Sequence, residues 1–127
     1  MKKQLMVFSA VSGICAVALG ALGAHQLKGM LSPEMMDAFK TGVYYQFFHT
    51  LAVMVIAVIN DENKSLKRSA SFFIAGTVLF SGSIYGLALS SLSGNIWKWL
   101  GPLTPLGGLC FMAGWLFLLF YALKNKS

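Results

Sequence analysis

Four long apolar runs constrain this chain more than any other feature. An α-helix needs about 20 largely apolar residues to cross a hydrocarbon core of roughly 30 Å. The runs cover about residues 5–24, 43–59, 69–92 and 105–123, and none contains Asp, Glu, Lys or Arg. Transmembrane β-strands alternate polar and apolar residues over short stretches, whereas these runs are continuous. The composition agrees: 57% of the 127 residues are hydrophobic and 11% are charged, against roughly 45–50% and about 25% in soluble domains. A soluble domain this small could not bury so much apolar surface, and a disordered chain would be far more polar. The expected fold is therefore all-α, a four-helix transmembrane bundle forming a single integral membrane domain over residues 1–127. The connectors are roughly 18, 9 and 12 residues long, which leaves no room for an inserted soluble domain.

Charge sets the orientation, because basic residues concentrate on the cytoplasmic side. The termini and the middle connector share one side and carry Lys2, Lys3, Lys64, Lys67, Arg68, Lys124 and Lys126, seven in all. The other side carries three: Lys28, Lys40 and Lys98. Both termini are thus expected in the cytoplasm. The net charge of +6 is accounted for by topology and anionic headgroups, so nucleic acid is not an expected partner and membrane lipids are. Trp97 and Trp99 flank Lys98 and read as interface anchors. The pattern Lys2-Lys3, apolar run, then Ala21 and Gly23 also suits a signal peptide, but the run exceeds the usual 7–15 residues. A lipoprotein reading at Cys15 is weaker still, because bulky Ile14 precedes the cysteine.

The first outer connector contains a helix start. Ser32 caps, Pro33 suits the first turn and Glu34 suits the positive end of the dipole. Met35, Met36, Phe39 and Val43 recur at helical spacing. Residues 33–42 are expected to form a short amphipathic helix at the outer interface before the second span, with Gly42 as a place to bend. Residues 60–64 read as a solvated loop without a motif. Within lipid, helices associate through small residues and polar contacts. Candidate stripes are Ser12, Ala16, Gly20 and Ala24; Gly82, Gly86 and Ser90; and Gly107 with Gly114. Packing within the bundle is the first expectation for them, contacts in a homo-oligomer the second.

A polar seam carries the chemistry. Ala38, Gly42, Tyr45, Gln46, His49, Ala52 and Val53 share one face of the second helix at 100° per residue, and His49 lies roughly 16 Å from its cytoplasmic end. On the third span Thr77, Ser81 and Tyr85 share a face, at roughly 12, 18 and 24 Å. His49 and Gln46 are therefore expected to find partners among Ser81, Thr77 and Tyr85. A buried imidazole needs a partner for each nitrogen, and intramembrane ionisable groups are functional candidates by default. The competing reading makes His49 a hydrogen-bonded packing residue.

Sharper chemistries fit poorly. Haem ligation by two histidines would pair His49 with His25, which lies roughly 14 Å away in depth. Zinc would need further Cys, His or carboxylate ligands at suitable spacing. Cys15 and Cys110 lie in separate spans and form no Cys-x-x-Cys pair. No carboxylate lies inside a span, which disfavours a pump-like proton relay. No Walker loop or nucleophile motif is present. No metal and no cofactor is implied.

Four segments then resemble one family: Gly20-Ala21-Leu22-Gly23-Ala24-His25-Gln26-Leu27-Lys28; Thr41-Gly42-Val43-Tyr44-Tyr45-Gln46-Phe47-Phe48-His49-Thr50-Leu51-Ala52; Phe80-Ser81-Gly82-Ser83-Ile84-Tyr85 with Leu87-Ala88-Leu89; and Gly101-Pro102-Leu103-Thr104-Pro105-Leu106-Gly107-Gly108 with Gly114-Trp115. In order and nearly end to end, they resemble the small bacterial inner-membrane proteins of the domain of unknown function 423 family, similar to eukaryotic transmembrane protein 256. The resemblance implies four spans and a bacterial plasma membrane. It brings no activity or catalytic residues. The leading functional reading is a non-enzymatic accessory or envelope- and lipid-associated protein, with a membrane-protein partner or a homo-oligomer as its setting. The alternatives are an oligomeric transporter or channel subunit, and a membrane enzyme or small-ligand binder using an outer-half pocket of His25, Tyr45, Gln46, His49, Thr77, Ser81 and Tyr85.

Overall fold

In hydrocarbon every backbone N–H and C=O must be paired within the protein, and a helix does so inside one segment. The computed structural model, which describes residues 1–124, is accordingly all helix, turn and loop. Its elements are α1 (Lys2–His25), α2 (Pro33–Ile59), α3 (Lys64–Gly76), a π-helical turn (Thr77–Ser81), α4 (Gly82–Leu92), a 3-10 turn (Lys98–Leu100) and α5 (Leu103–Lys124). α3, the π-turn and α4 form one rod, so four helical rods are long and apolar enough to cross a membrane. The helices overrun the apolar stretches at several ends, and Lys64, Lys67 and Arg68 ride on the first turns of α3. Lys126 lies outside the described residues.

The rods stand in an open row. α1 packs on α2, α2 on the α3–α4 rod, and that rod on α5. The second and third rods are the more buried, at 44% and 39% of their apolar windows, against 22% and 17% for the first and fourth. Two apolar clusters hold the row together. One, at the end bearing the termini, joins Leu5, Ile56, Leu66, Phe73 and Phe111. The other, at the opposite end, joins Leu27, Leu31, Phe39, Val43 and Ala88.

The helix start at residue 33 is built as the sequence suggests. Ser32 Oγ accepts from Met35 N at 3.1 Å, Pro33 occupies the first turn and Glu34 follows. The interfacial turns then run without interruption into the second span. Gly42 does not break the helix. It lets the α3–α4 rod close in, since a Cβ there would lie 3.3 Å from both Ile84 and Tyr85. The loop at residues 60–63 is more structured than expected. Asn60 ends α2 in the left-handed region (φ 52°). Asn63 Oδ1 caps α3 by accepting from Ser65 N at 2.8 Å and Leu66 N at 3.4 Å. Tyr121 Oη donates to Asp61 Oδ2 at 3.0 Å, tying the loop to α5. Exposed Glu62 pairs with Lys67, whose ammonium holds its carboxyl below the usual range.

Candidate functional site

Gln46 sits where three rods meet. Its Nε2 donates to Ser12 O at 3.0 Å and to Ser12 Oγ at 3.1 Å on α1. Its Oε1 accepts from Tyr85 Oη at 2.6 Å on α4. Ser12 Oγ is also paired with Thr50 Oγ1 at 2.7 Å. The amide therefore spends both ends on neighbouring rods, which is the economical way to place a polar side chain in a dry core. The first small-residue stripe is followed in part: Ser12 and Ala16 are buried, Gly20 is half-buried facing Val43 of α2, and Ala24 is exposed.

His49 belongs to a second group on the other side of α2. Its Nδ1 lies 2.7 Å from the Tyr45 carbonyl oxygen, and its Nε2 lies 3.0 Å from Trp115 Nε1. A carbonyl can only accept, and an indole N–H can only donate. The imidazole is therefore neutral, with its proton on Nδ1 and its Nε2 lone pair on Trp115. Phe111 stacks on the ring at 3.7 Å and 11° between planes, and Phe73 lies at 5.3 Å. His49 is only 5% exposed.

The residues expected along the seam fall into two groups. Gln46 meets Tyr85, as the helix geometry suggests. His49 meets none of Ser81, Thr77 or Tyr85. Ser81 Oγ donates to Gly42 O at 2.7 Å, and Thr77 Oγ1 donates to Phe73 O of its own rod at 2.8 Å. His49 turns instead to Trp115 of α5, and residues 77–81 form a π-turn that a uniform 100° wheel does not describe. Tyr45 contributes its carbonyl and stacks its ring on Phe80 at 4.8 Å. His25 is exposed in the last turn of α1, outside both groups. Ser12, Thr50, Phe111 and Trp115 are the partners that helix-wheel reasoning missed. A mid-span Trp carries an N–H that seeks an acceptor, and that much of the signal is legible in the sequence. Among the described residues no buried side-chain polar atom lacks a partner. No three His, Cys, Asp or Glu residues among them come together as a metal-binding group.

Beside the His49 group a cleft of about 600 Å³ opens between α2 and α5. Tyr45, Phe48, His49 and Leu51 form one wall and Gly108, Phe111, Met112 and Trp115 the other. α2 and α5 both pack mainly on the α3–α4 rod and meet each other through His49, Phe111 and Trp115, beside which the cleft lies. Trp115 (47% exposed) and Tyr45 (41% exposed) form its rim.

Comparison with known proteins now decides the family. The family model described as "Protein of unknown function (DUF423)" matches residues 19–108. The chain belongs to this family. It is similar over nearly its whole length to bacterial membrane proteins. It is 44% identical to "UPF0382 inner membrane protein YgdD" of Escherichia coli (strain K12), over 96% of this chain and 91% of that one. It is 38% identical to "UPF0382 membrane protein" of Haemophilus influenzae over 100% and 99% of the two chains, and 35% identical to "UPF0382 membrane protein YwdK" of Bacillus subtilis over 96% and 98%. No solved structure matches. This DUF423 protein is thus a small multi-pass protein of the bacterial inner membrane. Ser12 and Trp115, the partners of Gln46 and His49, lie outside the residues matched by the family model.

Proposed function

We propose that this protein is a non-enzymatic, lipid-associated component of the bacterial inner membrane, both termini cytoplasmic, whose α2–α5 cleft takes a hydrocarbon chain from the bilayer. The observation that carries the reading is the cleft: a lateral opening of about 600 Å³ walled by aromatic and aliphatic side chains. Pockets for apolar ligands are largely apolar with few polar groups. The one polar pair in this wall, His49 with Trp115, is already satisfied internally. The same satisfaction argues against catalysis. A general base needs a free lone pair within reach of its substrate, and His49 has given its lone pair to an indole.

The test is lipid retention. The full chain is purified in detergent until annular lipid is stripped, then weighed by native mass spectrometry. About one lipid per chain is expected to persist. Gly108→Leu fills the cleft from a position with room, since a Cβ there meets only Phe80 at 4.0 Å; it is expected to remove that lipid while circular dichroism remains unchanged. A lipid-free wild type, or equal retention in the folded variant, would overturn the reading.

A further inference from the structure

At the other end of the molecule α1 and α2 diverge around their connector and leave a second cavity. It measures about 500 Å³ and is bounded by Gly23, Ala24, Lys28, Leu31, Met36 and Lys40, among others. Lys28 and Lys40 both line it, and neither nearby acid, Glu34 or Asp37, does so. Neither lysine takes part in an ion pair among the described residues, where the ion pair present is Lys67 with Glu62. The cavity is held in shape. Leu27 and Leu31 are buried on either side of Lys28 and pack into the cluster of Phe39 and Val43. Gly29 makes the turn with φ +82°, a conformation that side chains disfavour.

Below it, a smaller cleft of about 150 Å³ continues between the same helices, lined by Gly20, Gly23, Phe39, Val43 and Tyr44. Gly23, Ala24 and Lys40 belong to both. Two cations therefore stand at the end of the apolar run of α1, above an apolar groove that descends into the hydrocarbon. The start of α2 adds little attraction for an anion, because Ser32 already caps it and Glu34 occupies its first turn.

We propose that this α1–α2 groove is a binding site for one anionic phospholipid, its phosphate held between Lys28 and Lys40 and one acyl chain laid along Gly20, Gly23 and Val43. The match is amphipathic: charge lies at the headgroup level and small residues lie beneath it. A soluble anion would satisfy only the upper half. Basic residues near a membrane surface favour anionic lipid by about 1 kcal/mol each at low salt, roughly fivefold per lysine. The site is separate from the α2–α5 cleft and stands or falls independently of it.

The experiment reconstitutes the full chain in phosphatidylcholine bilayers carrying a trace of spin-labelled phosphatidylglycerol or spin-labelled phosphatidylcholine. The motionally restricted fraction gives the selectivity of the protein for each. Wild type is expected to prefer phosphatidylglycerol at least about fivefold at low salt. K28Q/K40Q is expected to bring the ratio near one, whereas Lys98→Gln, on the other connector of the same side, leaves it unchanged. Ala24→Leu keeps both charges but intrudes on the groove, and is expected to lower the restricted phosphatidylglycerol fraction. Soluble glycerophosphate in the buffer is expected not to compete. Gly108→Leu, which blocks the other cleft, is expected to have no effect. Unchanged selectivity in folded K28Q/K40Q, an equal fall in Lys98→Gln, or full competition by glycerophosphate would each overturn the proposal.

Discussion

At the residue scale, two side chains carry the polar interior and make different demands. Gln46 joins three rods through one amide. Gln46→Leu would leave Tyr85 Oη without its acceptor in a dry core, while Ser12 Oγ keeps Thr50, so a loss of about 1–3 kcal/mol is expected. Thr50→Val removes only the end of the chain of hydroxyls and is expected to cost less. Reversible unfolding in mixed micelles would rank them; the opposite ranking would remove Gln46 from its central place. His49 and Trp115 make a single neutral hydrogen bond across the cleft wall. Interhelical hydrogen bonds in membranes average about 0.6 kcal/mol and reach about 1.7. A double-mutant cycle of His49→Phe and Trp115→Phe is expected to return a coupling in that range. A coupling of zero would mean the pair is merely adjacent. The Gln46–Tyr85 contact is legible in the sequence because both rods keep register near those residues. The pairing of His49 with Trp115 is not, although each residue alone signals a need for a partner. It depends on which rod lies beside α2, and helix wheels say nothing of neighbours.

At the element scale the third rod decides the architecture. Its π-turn falls where α5 comes closest. A Cβ at Gly107 would lie 2.3 Å from Phe80 N, a backbone atom that cannot rotate away. Gly114 lies against the Phe73 ring, 2.5 Å from where a Cβ would stand, and Ser69 Oγ donates to Gly114 O at 2.7 Å. Gly107 and Gly114 are thus one packing stripe, as their spacing suggests. The stripe at Gly82, Gly86 and Ser90 is not. Gly82 faces open space, Gly86 accommodates Leu100 of the third connector, and Ser90 Oγ accepts from Trp97 N at 3.1 Å. Small-residue periodicity marks where close approach is permitted, but the partner is fixed by chain topology. Gly107→Ala is therefore expected to separate α5 from the rod and destabilise by about 1–3 kcal/mol. Gly82→Ala has space and gains helix propensity, so it is expected to be neutral or stabilising by up to about 1 kcal/mol. Melting of both variants in one detergent checks the contrast, and a stable Gly107→Ala would mean the approach at the π-turn is looser than its geometry.

At the scale of the whole molecule the open row and the charge distribution have to agree with one orientation. Four rods bring Met1, Lys124 and the 60–63 loop to one end, where Leu5, Leu66 and Phe73 pack together and Tyr121 reaches Asp61. Among the described residues that end collects six basic residues against three at the other, and positive charge is retained in the cytoplasm. An impermeant maleimide is therefore expected to label Asn95→Cys in intact cells and Glu62→Cys only after lysis. Native Cys15 and Cys110 lie within α1 and α5, so a cysteine-free background keeps the readout clean. Replacing Lys64, Lys67 and Arg68 by Gln leaves three basic residues at each end among the described residues. If charge bias sets the orientation, this variant is expected to label at both positions in intact cells, as a mixed population. Retention of the single wild-type pattern would shift the explanation to the first span alone, since Lys2 and Lys3 still precede it. Labelling of Glu62→Cys in intact wild-type cells would reverse the orientation. It would also move the Lys28–Lys40 groove to the cytoplasmic leaflet without altering its geometry, because the groove depends only on its place at the end of α1 and not on which leaflet it meets.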